Sequence, residues 1–510
     1  MPKQKYVAIF HANLNYAFLT PDKYERTIRA SYETIIDGFA RHPHQKFVFE
    51  ASGFTIDVMA RETPDVLQKL KAAIDEGRCE FMGAPYAHPI MANIPEEDGY
   101  WSVEFAQRSF ERHLGARAES FWNPECTWMQ HVPRCFRRAG AKYLTLDYES
   151  YMTCNDKDYA WVERNRTHDM NWGGHLPWYP IDPDNKFLHR PFRDIVPGLS
   201  GMCRSDRIIG KYVGYFLGRV PLQEFIDTIK EWSGSPDNGA SIIIADDAEY
   251  CGTTGYFFVK YFRDYDKSFL VDEEASDKLD KLLQALDGFG ELITFKEACE
   301  TIDPVDEPFY VEDRFAWHRT YADAWAGTPE ARAWDPLLAQ VRQDYKDNVQ
   351  PIVEDPAHPR HEEFKPLYEE FWYRMTNSAN SDGRWPPPPA ETCPFNREWV
   401  LEEFEKTKAA LVALKEAIAG EQLPPPAGPK EPDPDAESGY DYPFTEKDVH
   451  DIPRLNNYEI QHAIYYYNDM IDNAGEDQEK MAFAKQKMVE IFDELDRRGM
   501  QGIRHPAIRD

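Results

Sequence analysis

Over its first 300 residues the chain alternates between two periodicities. Short β-rich apolar runs occur at 5–10 (KYVAIF), 46–52, 79–84, 119–124, 142–147, 187–193 and 240–245 (ASIIIA). Helical patterns lie between most of them, at 22–41, 63–76, 101–114, 130–139 and 221–233, and another at 272–286 follows the last run. Strands alternating with helices predict a parallel sheet and an α/β fold. Seven such strands fit an incomplete β/α barrel. An open doubly wound sheet has the same periodicity, so that arrangement stays open. In both, ligands bind at the carboxyl ends of the strands.

The stretch 148–186 breaks the alternation. It carries Trp161, Trp172 and Trp178 beside Gly173-Gly174, and reads either as a functional loop over the strand ends or as a small packed subdomain. Beyond 300 the pattern turns helical, with amphipathic runs at 328–346, 361–374 and 397–419. Between the last two lies a polar, Pro-rich segment containing Ser381-Asp382-Gly383-Arg384-Trp385. A Pro-rich spacer, LPPPAGPKEPDPDA at 423–436, then precedes two helical patterns at 455–472 and 476–498. The expected organisation is a catalytic unit over 1–300, a helical domain over 301–420, a linker over 421–439 and a helical hairpin over 440–510. So small a hairpin is marginal alone and is expected to dock on the main body or on another copy of the chain, which would make a homo-oligomer.

Composition narrows the ligands. The 510 residues carry a formal charge of −31, which disfavours nucleic acid and anionic membranes as partners. Aromatic residues make up 14% of the chain, and rings in loops suit the apolar C–H faces of sugars. The eight cysteines form no CxxC pair, so neither a zinc framework nor a disulfide set is expected. The N-terminal apolar run is too short for a signal peptide, and no stretch reaches the length of a membrane span; the expected location is cytoplasmic. GxGxxG, P-loop, GxSxG and HExxH motifs are all missing, and no cofactor or metal is expected.

Two acidic groups stand at strand ends. Glu125 follows Trp122-Asn123-Pro124, where proline stops ladder pairing. Its structural alternative is an ion pair with Arg134 or Arg137. Asp246-Asp247-Ala248-Glu249 closes the buried run 240–245; three crowded carboxyls cannot all ionise cheaply, so at least one should keep its proton, as a general acid must. A metal site, or Asp247 capping a following turn, are the alternatives. His11 with Asn13 ends the first run, and His88 sits in a Pro-flanked loop; both are placed to meet sugar hydroxyls. One carboxyl from each cluster at one mouth would form the pair that a glycoside hydrolase uses.

Four segments together resemble glycoside hydrolase family 57: Phe10-His11-Ala12-Asn13-Leu14-Asn15; Gly77-Arg78-Cys79-Glu80 through Tyr86-Ala87-His88-Pro89-Ile90; Trp122-Asn123-Pro124-Glu125; and Asp247-Ala248-Glu249-Tyr250-Cys251-Gly252. The resemblance implies a (β/α)7 barrel followed by helices, and retaining action on α-linked glucans or oligosaccharides by hydrolysis or transfer. It implies Glu125 as nucleophile, Asp247 as acid/base, and His11 and His88 beside the bound sugar. Asn13, Trp122, Trp172, Trp178, Asp246 and Glu249 are further expected substrate contacts. Two departures bear on the substrate: Asn13-Leu14-Asn15 stands where His-Gln-Pro is usual, and Thr253-Thr254-Gly255-Tyr256 follows the fourth motif. Two other functions fit the same residues. One is a metal-dependent deacetylase- or α-mannosidase-like hydrolase with His11, Asp246 or Asp247, and His88 as ligands; the other is a carbohydrate-binding protein without turnover.

Overall fold

The structure is a computed structural model. It describes residues 3–16, 18–155, 181–262, 264–311, 315–317, 320–385, 394–421, 449–455, 463–464, 466–467, 470–471, 474 and 477–497. Trp172 and Trp178, and the Pro-rich linker, lie outside the described residues.

Nine of the described strands form one curled sheet. They are β1 (Gln4–Ala12), β2 (Phe47–Ser52), β3 (Cys79–Ala84), β4 (Ser120–Phe121), β5 (Tyr143–Asp147), β6 (Phe192–Val196), β7 (Leu199–Arg204), β8 (Ala240–Asp247) and β9 (Gly290–Ile293). Their order is β6-β7-β5-β4-β3-β2-β1-β8, with β9 paired to the first half of β1. Only β6 runs antiparallel to its neighbour. Strands β1 to β5, β7 and β8 make the half-barrel of a (β/α)7 fold, open between β7 and β8. His189 bridges that seam through Nδ1 to Ser241 Oγ at 3.0 Å.

The sixth barrel strand is not the predicted run 187–193. Lys186–His189 form a helical turn, and Phe192–Val196 form the antiparallel β6. Pro197-Gly198, with Gly198 at φ 77°, turns the chain into β7, which takes the barrel position. The sequence of β7, LSGMCR, has its apolar residues interrupted by serine and a glycine, so its pattern does not read as a strand. That glycine is required there, because a Cβ on Gly201 would lie 2.2 Å from the Leu144 carbonyl.

The inner face of the barrel follows the two-residue period of its strands. Val7 and Ile9 of β1, Val48 of β2, Met82 and Ala84 of β3, Met202 of β7, and Ile242 and Ala245 of β8 make an apolar plug. Alternate residues such as Tyr6, Phe10, Phe47 and Phe49 pack outward under the helices. One step further along the same inward series come His11, Glu50, Asp147, Arg204 and Asp247. The plug therefore ends in a buried layer of ionisable groups at the carboxyl mouth.

The helices Pro329–Asn348, His361–Asn377 and Pro394–Ala417 form the region after the barrel. The first two dock on the barrel helix Glu96–Leu114, and the third packs against the second. Arg342 pairs with the buried Asp98, and Trp372 stacks on Trp101 at 6.1 Å. The helix Gln478–Arg497 adds Ala484, Met488 and Ile491 to the same contiguous apolar core. Among the described residues no helix is long and apolar enough to cross a membrane.

Candidate active site

Strand register assembles one side of the mouth. His11 stands opposite Glu50 of β2 and opposite Asp247 of β8. His11 Nδ1 and Glu50 Oε2 are hydrogen-bonded. Burial alone would lower the His11 pKa, but Glu50, helped by Asp247 and Glu249, raises it to about 10. Burial raises Glu50 as well, so the pair holds a proton through neutral pH. His88 behaves oppositely. Burial, then the His11 cation at a ring separation of 5.2 Å, holds it well below the usual imidazole range. Neither ring nitrogen of His88 has a hydrogen-bond partner among the described residues. A neutral, buried imidazole with open nitrogens is suited to a polar ligand.

Asp247 ends β8. Burial, then the adjacent Asp246 carboxyl, push it well above the usual carboxylate range, against the opposing pull of His11. The Tyr16 hydroxyl donates to its Oδ2 at 2.8 Å. Its side chain caps no turn. Asp246 lines the cleft and accepts the Asp247 N–H at 2.8 Å. Glu249 does not line the cleft. It lies behind the wall, where its Oε1 accepts the Asn13 N–H at 3.1 Å and the Tyr32 hydroxyl. Burial there raises it to about 7, against the Tyr32 hydrogen bond.

Glu125 comes from a 3-10 turn after β4. It and Cys126 have φ of 55° and 46°, in the left-handed region that L residues seldom adopt. The Asn123 side chain secures this bend by donating to Thr127 O at 2.6 Å. Trp317 holds Glu125 twice: its backbone N–H donates to Glu125 O at 2.9 Å, and its indole N–H to Oε2. The two arginines considered as partners are engaged elsewhere, Arg134 with Glu96 and Arg137 with Pro197 O.

One cleft of about 610 Å³ joins these groups. His11, Asn13, His88, Trp122, Glu125, Asp246 and Asp247 all line it, with Trp317, Asp382 and Trp385 from the region after the barrel. Among the expected site residues only Glu249 stands back from it, apart from Trp172 and Trp178, which are outside the described residues. A second part of the wall is apolar: Val213, Val220, Phe257 and Phe262, with Arg219 stacked over Phe257 at 4.8 Å. The sequence patterns did not single out Trp317, Glu50 or Tyr16. Glu50 had a signal, since it is the charged member of the inward series Val48-x-Glu50. Trp317, about 190 residues from Glu125, had none. Among the described residues no group of three or more His, Cys, Asp or Glu side chains is arranged to hold a metal ion.

The class of fold is thus a half-barrel with a carboxyl-lined cleft at its carboxyl mouth. The glycosyl hydrolase family 57 model matches residues 2–308, and the chain belongs to that family. It is 26% identical over 196 residues to an alpha-amylase of Pyrococcus horikoshii, covering 38% of this chain and 30% of that one. It is 27% identical over 182 residues to a 4-alpha-glucanotransferase of Thermococcus kodakarensis, covering 36% and 26%. The matched segment thus spans under a third of either relative. In fold it is similar to a family 57 branching enzyme of Thermococcus kodakaraensis, with TM-score 0.60, 10% identity, and 83% and 92% of the two chains covered. It is also similar to the 4-alpha-glucanotransferase of Thermococcus litoralis, with TM-score 0.54, 17% identity, and 80% and 60% covered.

Proposed function

We propose that the protein is a retaining glycosidase or transglycosidase acting on α-linked glucans or oligosaccharides. The observation that carries this reading is the single cleft that Glu125 and Asp247 both line, beside a neutral His88 and the indole of Trp122. Family membership and the names of the two relatives support the substrate class.

The two carboxyls have environments suited to different tasks. Asp247 keeps its proton through burial and the neighbouring Asp246, and can deliver it to the glycosidic oxygen. Glu125, oriented by the Trp317 indole N–H, attacks the anomeric carbon as the bond to the leaving oxygen breaks. A covalent glycosyl-enzyme results. The Asp247 carboxylate then takes a proton from water or from an acceptor hydroxyl, whose oxygen displaces Glu125. Water gives hydrolysis and a sugar hydroxyl gives transfer. His88, with both nitrogens open, is placed to bind hydroxyls of the sugar being transferred.

The test is mass spectrometry of protein incubated with a slowly turned-over fluoro-sugar glycosyl fluoride of the α series. One glycosyl unit on Glu125, and none on the Glu125→Gln variant, is expected. A label on another residue, or full turnover by Glu125→Gln, would remove Glu125 from the nucleophile role. Asp247→Asn is expected to lose about 10²–10⁴-fold in turnover of unactivated substrates.

A further inference from the structure

Behind Glu125, away from the cleft lining, lies a wholly buried arginine. Arg204 ends β7, directly opposite Asp147 of β5 in the strand register. It donates to Asp147 Oδ1 at 3.0 Å and pairs closely with Asp206. Its guanidinium carbon lies 4.9 Å from the centre of the Trp317 ring and 5.8 Å from that of Trp122. Trp122 in turn stacks on His11 at 5.2 Å.

Arg204 hydrogen-bonds both carboxylates through its terminal nitrogens, leaves its Nε–H without an acceptor among the described residues, and lies over two indoles. A buried donor left unmade carries a penalty, which the contacts with the two rings offset in part. A cation over an indole is attracted by the ring and also draws charge from it, making the ring N–H a stronger donor. That N–H is the one Trp317 gives to Glu125.

We propose that Arg204 is a positioning residue for the Glu125 carboxyl, holding the Trp317 indole in place and strengthening its hydrogen bond to Oε2. The proposal rests on Glu125 being the nucleophile. Trp122 and Trp317 then share one guanidinium as neighbour, the first lining the cleft and the second donating to the carboxyl. Lysine at 204 would keep the charge facing Asp147 and Asp206 but lose the planar face.

A double-mutant cycle tests it, with R204K, W317F and the combined variant assayed for kcat and KM on an aryl α-glycoside, and melting followed in parallel. R204K should melt near the wild-type temperature, lose about 10–100-fold in kcat and leave KM within about twofold. The combined variant should be no slower than the worse single one, because both changes break one chain of contacts. Effects that multiply, a wild-type kcat in R204K, or a wild-type kcat in W317F would each overturn it; the last needs no arginine variant to fold. Labelling of Glu125 in the wild type separates the two levels. No label on Glu125 overturns the nucleophile reading itself, whereas a labelled Glu125 with independent effects overturns only the role of Arg204.

Discussion

Glu249 shows how one carboxyl can organise a site without facing it. It stands two residues from Asp247, yet its Oε1 is taken up by Asn13 N–H and Tyr32. Its folded pKa of about 7 lies above the ordinary 4.5. Below pH 4.5 both folded and unfolded chains hold this proton. Between 4.5 and 7 only the folded chain holds it, so this residue lowers stability as pH rises, on the order of 3 kcal/mol across the window. Glu249→Gln keeps an oxygen for both donors and carries no charge. Its urea-unfolding free energy should therefore fall less than the wild type's between pH 5 and 8, and exceed it at pH 8. Parallel curves for the two proteins would show that Glu249 does not titrate in this window.

Elements fix what single residues cannot. The irregular helical turn Ile28–Glu33 lies against the residues after β8, with Ser31 Oγ donating to Glu249 O at 3.0 Å. This contact needs a glycine at 252, because a Cβ there would fall 2.0 Å from the Ala30 carbonyl oxygen and 2.7 Å from Ser31 Cα. Both neighbours are backbone and cannot rotate away. Gly252→Ala should destabilise by about 1–3 kcal/mol or more, read as a lower urea midpoint at unchanged slope. It should also reduce turnover, since the turn that moves carries Tyr32. A midpoint equal to wild type would mean that the two segments are looser than this packing implies. The Asp-x-Glu-x-x-Gly pattern was visible in the chain; the reason for its last residue lies in a helix 220 residues earlier.

At the scale of the molecule, the cleft is completed by the region after the barrel. The segment after the helix His361–Asn377 is strapped to the His88 loop: Asn380 Nδ2 donates to Ala87 O at 2.8 Å and Ser381 Oγ to His88 O at 2.6 Å. Asn380 also accepts the Gly383 N–H at 3.0 Å, which shapes the turn carrying Asp382 and Trp385 to the cleft. Asn380→Ala strands the buried Ala87 carbonyl. A loss of about 1–3 kcal/mol is expected, with a raised KM on α-glucan, as Asp382 and Trp385 lose their support. Unaltered KM with reduced stability would confine the strap to a structural role.

The alternation of period-2 runs and helical patterns by itself implied a mainly parallel sheet with a cleft at its carboxyl ends. Both follow from local sterics and the two-residue step of a strand, which puts His11 and Asp247 on inward positions. The motifs also located Glu125 and Asp247, because Pro124 and the apolar run 240–245 mark where strands end. Local pattern failed where tertiary contact replaces it. Strand β7 has its apolar residues interrupted by Gly201, which must fit under a neighbouring carbonyl, and ends in Arg204, which reaches Asp147, so no continuous apolar run announces it. Glu249 looked like a third carboxyl of the mouth, but the turn after β8 carries it behind the wall. Only the folded chain could decide the partners of the two key carboxyls, Trp317 for Glu125 and Tyr16 for Asp247. They come from sequence-distant segments, and hydrogen bonds across such separations leave no trace in periodicity.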